Sequence, residues 1–190
     1  DKEIIKKLNI KTLQYINKKK QNYLQNKIIL KKILNRKKSI NFDGFSIDSR
    51  TIKKHNLFLA LRGKNNDGSK FIQDALKKGA GCIITSLPIN KKNRKIIKVK
   101  NSISFLNNFA KLKREHSLAK IIAITGSAGK TSLKTLIDNL LQNFGSTYSS
   151  PRSFNNHLGV PISLSNLSPN NKFGIFEVGM SKAGEIKKLS

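Results

Sequence analysis

Apolar residues recur along this chain in blocks, and their spacing changes from block to block. Across residues 1–38 they stand at Ile5, Leu8, Leu13, Ile16, Leu24, Ile28, Ile29, Ile33 and Leu34. Gaps of mostly three to five positions predict one or two amphipathic helices, interrupted on the apolar face by Lys18-Lys19-Lys20. The expectation is a solvated helix or loosely held extension, with a binding arm as the alternative.

From residue 41 the blocks shorten and alternate. Phe42–Ile47 reads as a strand ending at Asp48-Ser49-Arg50, and Asn56–Leu61 as a buried strand closed by the turn-rich loop Arg62–Gly68. Lys70–Lys78 predicts a helix with Phe71, Ile72, Ala75 and Leu76 inward, ended by Gly79. Strands follow at Cys82–Thr85 and Lys95–Val99, and then an amphipathic helix at Ser102–Glu115 with Ile103, Phe105, Leu106, Phe109, Ala110 and Leu112 as its apolar set.

A boundary falls near His116–Ala119. Ile121-Ile122-Ala123-Ile124 is a continuous apolar run of the kind buried in a parallel sheet. It precedes a Gly-rich loop at 125–131, a helix from Ser132 to Phe144 and a short strand near Gly145–Ser149. Asn155–Gly159 reads as a loop, Val160–Leu164 as a helix or strand, and Lys172–Val178 as another buried strand. Strand–loop–helix–strand order implies an α/β fold with parallel, doubly wound sheets. The expected arrangement is a small N-terminal α/β domain followed by the first part of a second, doubly wound parallel-sheet domain.

Composition narrows the function classes. The 190 residues carry 38 Lys+Arg against 10 Asp+Glu, a formal net charge of +28. Only six of the basic residues are Arg, the usual bidentate reader of guanine, and the 7% of aromatic residues are not interleaved with the basic runs. Lysine drift on solvated surfaces is therefore favoured over a dedicated nucleic-acid patch, although weak, salt-sensitive nucleic-acid binding is expected. No apolar run approaches the ~20 residues of a spanning helix, and the start at Asp1-Lys2-Glu3 shows no signal-peptide pattern, so a cytoplasmic location without membrane insertion is expected. Cys82 alone cannot form an intramolecular disulfide, and it reads as a buried, inert thiol. His55, His116 and His157 lack metal-ligand spacing.

The strongest chemical signal is Thr125-Gly126-Ser127-Ala128-Gly129-Lys130-Thr131-Ser132, set between an apolar strand and a helix. Glycines at 126 and 129 let successive backbone N–H groups turn around phosphate oxygens at a helix N-terminus. Lys130 can reach the β- and γ-phosphates, and the Thr131 hydroxyl can ligate Mg²⁺. Ile124 stands where the longer phosphate-loop pattern has glycine, so this is the shorter G-x-x-G-K-T form. Glu177, at the end of the last strand, is placed to reach the same metal, although a buried or capping carboxylate is an equal reading.

With those residues stated, three segments together resemble the Mur ligases, the ATP-dependent amide-forming enzymes of peptidoglycan synthesis. The first is the phosphate loop. The second is Asp48-Ser49-Arg50 with Leu57–Gly63 and Asp67-Gly68. The third is Ser153–Pro161 followed by Phe176–Met180 and Ala183–Ile186, which is most similar to members that add a dipeptide. The resemblance covers about residues 41–190 and implies a UDP-substrate-binding domain (39–115) and the start of a central ATP-binding domain (116–190), after the Lys-rich helical extension (1–38) that the spacing predicts. It also implies ATP, Mg²⁺, UDP-N-acetylmuramoyl-tripeptide and D-alanyl-D-alanine as ligands, and a monomer.

By the same resemblance Lys130 is the catalytic residue. Gly126, Ser127, Ala128, Gly129, Lys130, Thr131 and Ser132 hold ATP, and Thr131 and Glu177 hold the metal. Ser49, Arg50, Asn155, Asn156 and His157 meet the UDP-linked substrate. Ser181-Lys182 replaces an Asn-His pair common in related sequences, so no contact from that histidine is carried over. The segment is expected to be the N-terminal piece of a longer ligase and inactive by itself. Alternatives are a ligase for the third residue, a folylpolyglutamate synthase, an inactive remnant and a basic nucleic-acid-binding module.

Overall fold

The structure is a computed structural model that describes residues 2–35, 40–63, 67–89, 93–152 and 154–179. Its backbone forms two parallel sheets. The first contains β1 (Gly44–Ser46), β2 (Asn56–Ala60), β3 (Cys82–Thr85) and β4 (Ile96–Lys98) in sequence order. The second is built from β5 (Lys120–Ile124), β6 (Thr147–Ser149) and β7 (Phe173–Glu177), with β7 in the middle. Every strand pair is parallel, as the alternation of strands and helices predicts.

The first sheet is buried on both faces. Leu57, Leu59, Cys82 and Ile84 point to one core with Phe42, Phe45, Phe105, Leu106 and Phe109. Phe58, Ala60 and Ile83 point to the other, with Ile52, Ile72 and Ala75. Successive side chains alternate across a strand, so near-continuous apolar runs suit a sheet covered on both sides. One cover is α3 (Ser102–Glu115), whose start is closed by the Asn101 side chain accepting from the amides of Ile103 and Ser104. On the other side lies the short α2 (Ile72–Lys77), ended by Gly79 in the left-handed region at φ +84°.

Residues 2–34 form one helix, α1, rather than two. The reading of this segment as loosely held is corrected for its C-terminal half. Ile29 and Leu30 enter the main core, and Asn26 is buried beside them. Two further corrections concern helix faces. Phe71 is 41% exposed, because residues 68–71 form a tighter 3₁₀ turn that rotates it off the face of Ile72 and Ala75. Ile103, in the first turn of α3, is also exposed.

The second sheet is barer. The Ile121–Ile124 run, expected to be fully buried, lies in an edge strand. Only β7 pairs with β5 among the described residues, and Ala123 is exposed. Helix α4 (Lys130–Leu141) starts two residues earlier than predicted and leaves Leu133, Leu136 and Leu140 exposed. Residues 159–165 settle as a helix, α5 (Gly159–Ser165), which packs on α3 and sends Ile162 into the first core. A Cβ at Gly159 would fall 2.5 Å from the Phe154 backbone, so only glycine fits there. The α5 C-cap Asn166 joins the sheets: it accepts from Phe45 N–H at 2.8 Å and donates to Phe45 C=O at 3.1 Å, satisfying the open edge of β1.

Candidate functional site

The phosphate-loop candidate leaves the carboxyl end of β5 and turns into α4. Gly129 occupies the left-handed region at φ +73°, which sets the sharp entry to the helix. Unlike α3, this helix has no side-chain cap. The free N–H groups of its first turn therefore face the loop opening, where the positive end of the helix dipole favours an anion. Gly126, Ser127, Ala128 and Gly129 are exposed in the loop, and Ser132 is exposed in the first turn. Lys130 folds back over them, its Nζ donating to Gly126 C=O at 2.5 Å.

The register explains how Glu177 reaches this loop. Glu177 pairs with Ile124, the last residue before the loop, so the adjacent strand ends bring the carboxylate beside Thr131. Thr131 Oγ1 donates to Glu177 Oε2 at 3.0 Å. Lys134 Nζ donates to the same oxygen at 3.2 Å and to Ser150 C=O at 2.8 Å. Asn155 Nδ2 donates to Oε1 at 3.0 Å, while Ser150 Oγ accepts the Glu177 amide at 3.1 Å. Burial pushes the Glu177 carboxyl upward, but hydrogen bonds from Asn155, Thr131 and Lys134 outweigh it and hold the group below its usual value.

The pattern reading did not single out Lys134 or Ser150. Lys134 stands three positions after Thr131, on the same helix face, and is 4% exposed. That spacing was the available signal.

The substrate candidates divide. Asn155 joins the carboxylate cluster, and its carbonyl accepts the Gly179 amide at 2.7 Å. Asn156 instead closes the start of α5, its Oδ1 accepting from Leu158 and Gly159 amides. His157 is exposed. Ser49 is buried, with its carbonyl accepting from Lys78 Nζ. Arg50 is exposed and pairs with Asp48 at 2.7 Å, so Asp48 is the turn residue that holds Arg50.

A cavity of about 400 Å³ opens between the sheets, lined among others by Phe45, Asp48, Tyr148, Phe154 and Ser163. Ser163 Oγ is buried there with no hydrogen bond of good geometry to a partner among the described residues. Ser153, residues 64–66 of the predicted loop and the segment from Met180 onward lie outside the described residues. Cys82 is buried, and burial pushes its thiol up to about 12, which fits the inert reading. No helix is long and apolar enough to cross a membrane, and no group of three or more His, Cys, Asp or Glu side chains gathers for a metal, among the described residues.

Comparison with known proteins bears on both sheets. Residues 41–114 match the Mur ligase family, catalytic domain, and residues 124–190 match the Mur ligase middle domain. The chain belongs to the Mur ligase family. A Mur ligase of Rickettsia prowazekii, named UDP-N-acetylmuramoyl-tripeptide–D-alanyl-D-alanine ligase, is 46% identical over 153 residues, which is 80% of this chain and 34% of that protein. A MurF crystal structure from Acinetobacter baumannii superposes with TM-score 0.70 at 26% identity, covering 88% of this chain and 37% of that one. MurF from Thermotoga maritima in complex with ADP matches with TM-score 0.60 at 31% identity, over 77% of this chain and 35% of that one. The chain spans about a third of the length of the curated Mur ligases it matches.

Proposed function

We propose that this chain serves an ATP-dependent ligation that joins D-alanyl-D-alanine to UDP-N-acetylmuramoyl-tripeptide. The observation that carries this reading is the uncapped, glycine-entered start of α4 with Thr131 and Glu177 in contact beside it. The printed names of the relatives supply the substrates. On this reading residues 39–115 present the UDP-linked substrate, residues 116–190 begin the ATP-binding unit, and the protein works as a monomer in the cytoplasm.

The residues present suit Mg²⁺. Thr131 Oγ1 and a Glu177 carboxylate oxygen are hard donors, and Mg²⁺ is usually held by one or two protein oxygens plus phosphates and water. When bound, the ion neutralises charge on the phosphates. The loop amides and Lys130 hold the phosphoryl group in place. Asn155 and Lys134 fix the carboxylate so that the metal side needs little rearrangement.

The chemistry is two displacements. A carboxylate oxygen of the tripeptide attacks the γ-phosphorus, and the bond to ADP breaks. The amine of D-alanyl-D-alanine then attacks the acyl carbon, loses a proton and expels phosphate. The inter-sheet cavity, between Asp48 and Phe154, is the place this reading gives to the UDP-linked substrate.

Two measurements test the reading. In the protein containing this chain, phosphate release should require D-alanyl-D-alanine, and Lys130→Ala should lower it by about 100-fold or more. Release that responds to glutamate or another single amino acid instead would overturn the substrate assignment. In the chain itself, ADP binding that survives Lys130→Ala unchanged would overturn the phosphate-loop assignment.

A further inference from the structure

Helix α1 builds a second concavity at the opposite end of the strands from the phosphate loop. The loop and Glu177 lie at strand carboxyl ends, where ligands of open α/β sheets usually bind. This other cavity, of about 550 Å³, gathers residues that lead into strands: Asp43 before β1, Lys53 and Lys54 before β2, and Ser168 before β7. The rest of its lining comes largely from α1, which contributes Tyr15, Lys18 and Lys19 and precedes the segment that matches the Mur ligase family.

The lining is cationic, and three of its four lysines are not cancelled. Asp43 is its only carboxylate and is already engaged. Lys19 Nζ stands 3.6 Å from it, Tyr23 OH donates at 3.4 Å, and Asn56 Nδ2 donates at 3.2 Å. Lys18, Lys53 and Lys54 form no ion pair among the described residues. Holding uncancelled ammonium groups around one concavity is unfavourable by mutual repulsion, and the concave shape focuses their field on its interior. Lysine ammonium groups are compact point charges suited to phosphate oxygens. Beside them Tyr15 offers a ring that is 65% exposed.

The helix is held in register for this task. Asn170 Nδ2, from the loop before β7, donates to Lys18 C=O at 3.3 Å, and Asn22 Nδ2 donates to Asp43 C=O at 2.7 Å. We propose that this pocket is a binding site for a small multivalent phosphate, distinct from the ATP site, formed only when α1 is docked. The volume lies in the range of small-molecule pockets, roughly 300–1,000 Å³, which suits a compact phosphate ester better than an extended polymer.

The test uses the full chain carrying Lys130→Ala, so that the phosphate loop does not contribute, and inorganic tripolyphosphate as the probe. Calorimetry at about 0.1 M salt, where distant surface charges are screened, should give one saturable site. Replacing Lys18, Lys53 and Lys54 together by Gln should weaken it about tenfold or more. Replacing the exposed Lys70, Lys77 and Lys98 by Gln changes net charge equally and should alter it less than twofold. Thermal unfolding midpoints of both triple variants should stay close to that of the Lys130→Ala parent. Equal weakening by the two triples would show diffuse charge and overturn the site. Absence of saturation with tripolyphosphate, together with tight binding of a single-stranded RNA that the pocket triple abolishes, would overturn it in favour of a nucleic-acid surface.

Discussion

Two lysines are buried among the described residues, one in each half, and they are solvated in opposite ways. Lys113, 1% exposed on α3, meets only neutral oxygens: Asn22 Oδ1 at 3.0 Å, Gln25 Oε1 at 2.7 Å and Asn26 Oδ1 at 2.9 Å. Each of those amides donates onward to a backbone carbonyl, of Asp43, His116 and Phe42 respectively. Lys134, 4% exposed on α4, meets the Glu177 carboxylate instead. The first arrangement fastens α1 to α3 and contains no carboxylate that could hold a metal. The second is a nearly neutral unit whose carboxylate oxygen also touches Thr131 at the loop. A buried charge is thus a fastener where its partners are amides, and part of a site where its partner is a carboxylate beside an uncapped helix start.

Breaking the ion pair should have the largest effect. Lys134→Met leaves a buried carboxylate without its counter-charge, at a cost of about 3–5 kcal/mol. Urea unfolding would measure it, and a loss below about 1 kcal/mol would mean that Glu177 does not depend on Lys134.

Lys113→Met should cost less, about 1–3 kcal/mol, because it orphans only neutral acceptors. It also sharpens the comparison through pH. Burial pushes the Lys113 ammonium down to about 7 from 10.5. Between those values the unfolded chain holds more protons than the folded one, so stability rises with pH across that window. Lys113→Met should flatten that rise. Glu177 acts at the other end of the scale. Its lowered folded value gives stability that is present above 4.5 and lost as pH falls through the folded value. Denaturation midpoints from pH 3 to 10 would separate the two contributions.

The smallest expected effect is at the seam between the sheets. Asn166→Ala removes both bonds to Phe45 and should cost about 1–2 kcal/mol. Hydrogen exchange should speed up at the Phe45 amide, while the β5–β7 ladder is unchanged.

Much of this architecture was legible in the chain. The Cys82–Thr85 strand and the Ser102–Glu115 helix fall where the apolar pattern puts them. The glycine loop announced itself because φ +73° at Gly129 needs a residue without a Cβ. Burial was harder to read. Cys82-Ile83-Ile84 and Ile121-Ile122-Ala123 look alike as strings, yet the first is central in a covered sheet and the second, among the described residues, is an edge strand. The roles of the two asparagines in Asn155-Asn156 were also out of reach. Neighbours in sequence, they face a carboxylate and a helix start respectively.

By itself, then, the sequence determined the kind and order of the elements, the parallel handedness and the phosphate loop. These follow from local rules: side-chain period, caps, and glycine where the backbone turns left-handed. Only the tertiary structure decided which of the many lysines lost their water, which carboxylate met Thr131, and which helix closed the basic pocket. Those outcomes depend on contacts between residues far apart in the chain, such as Lys134 with Glu177 and Asn22 with Lys113. Desolvation and pairing are properties of a place in three dimensions, and a lysine carries no local mark of which place it will occupy.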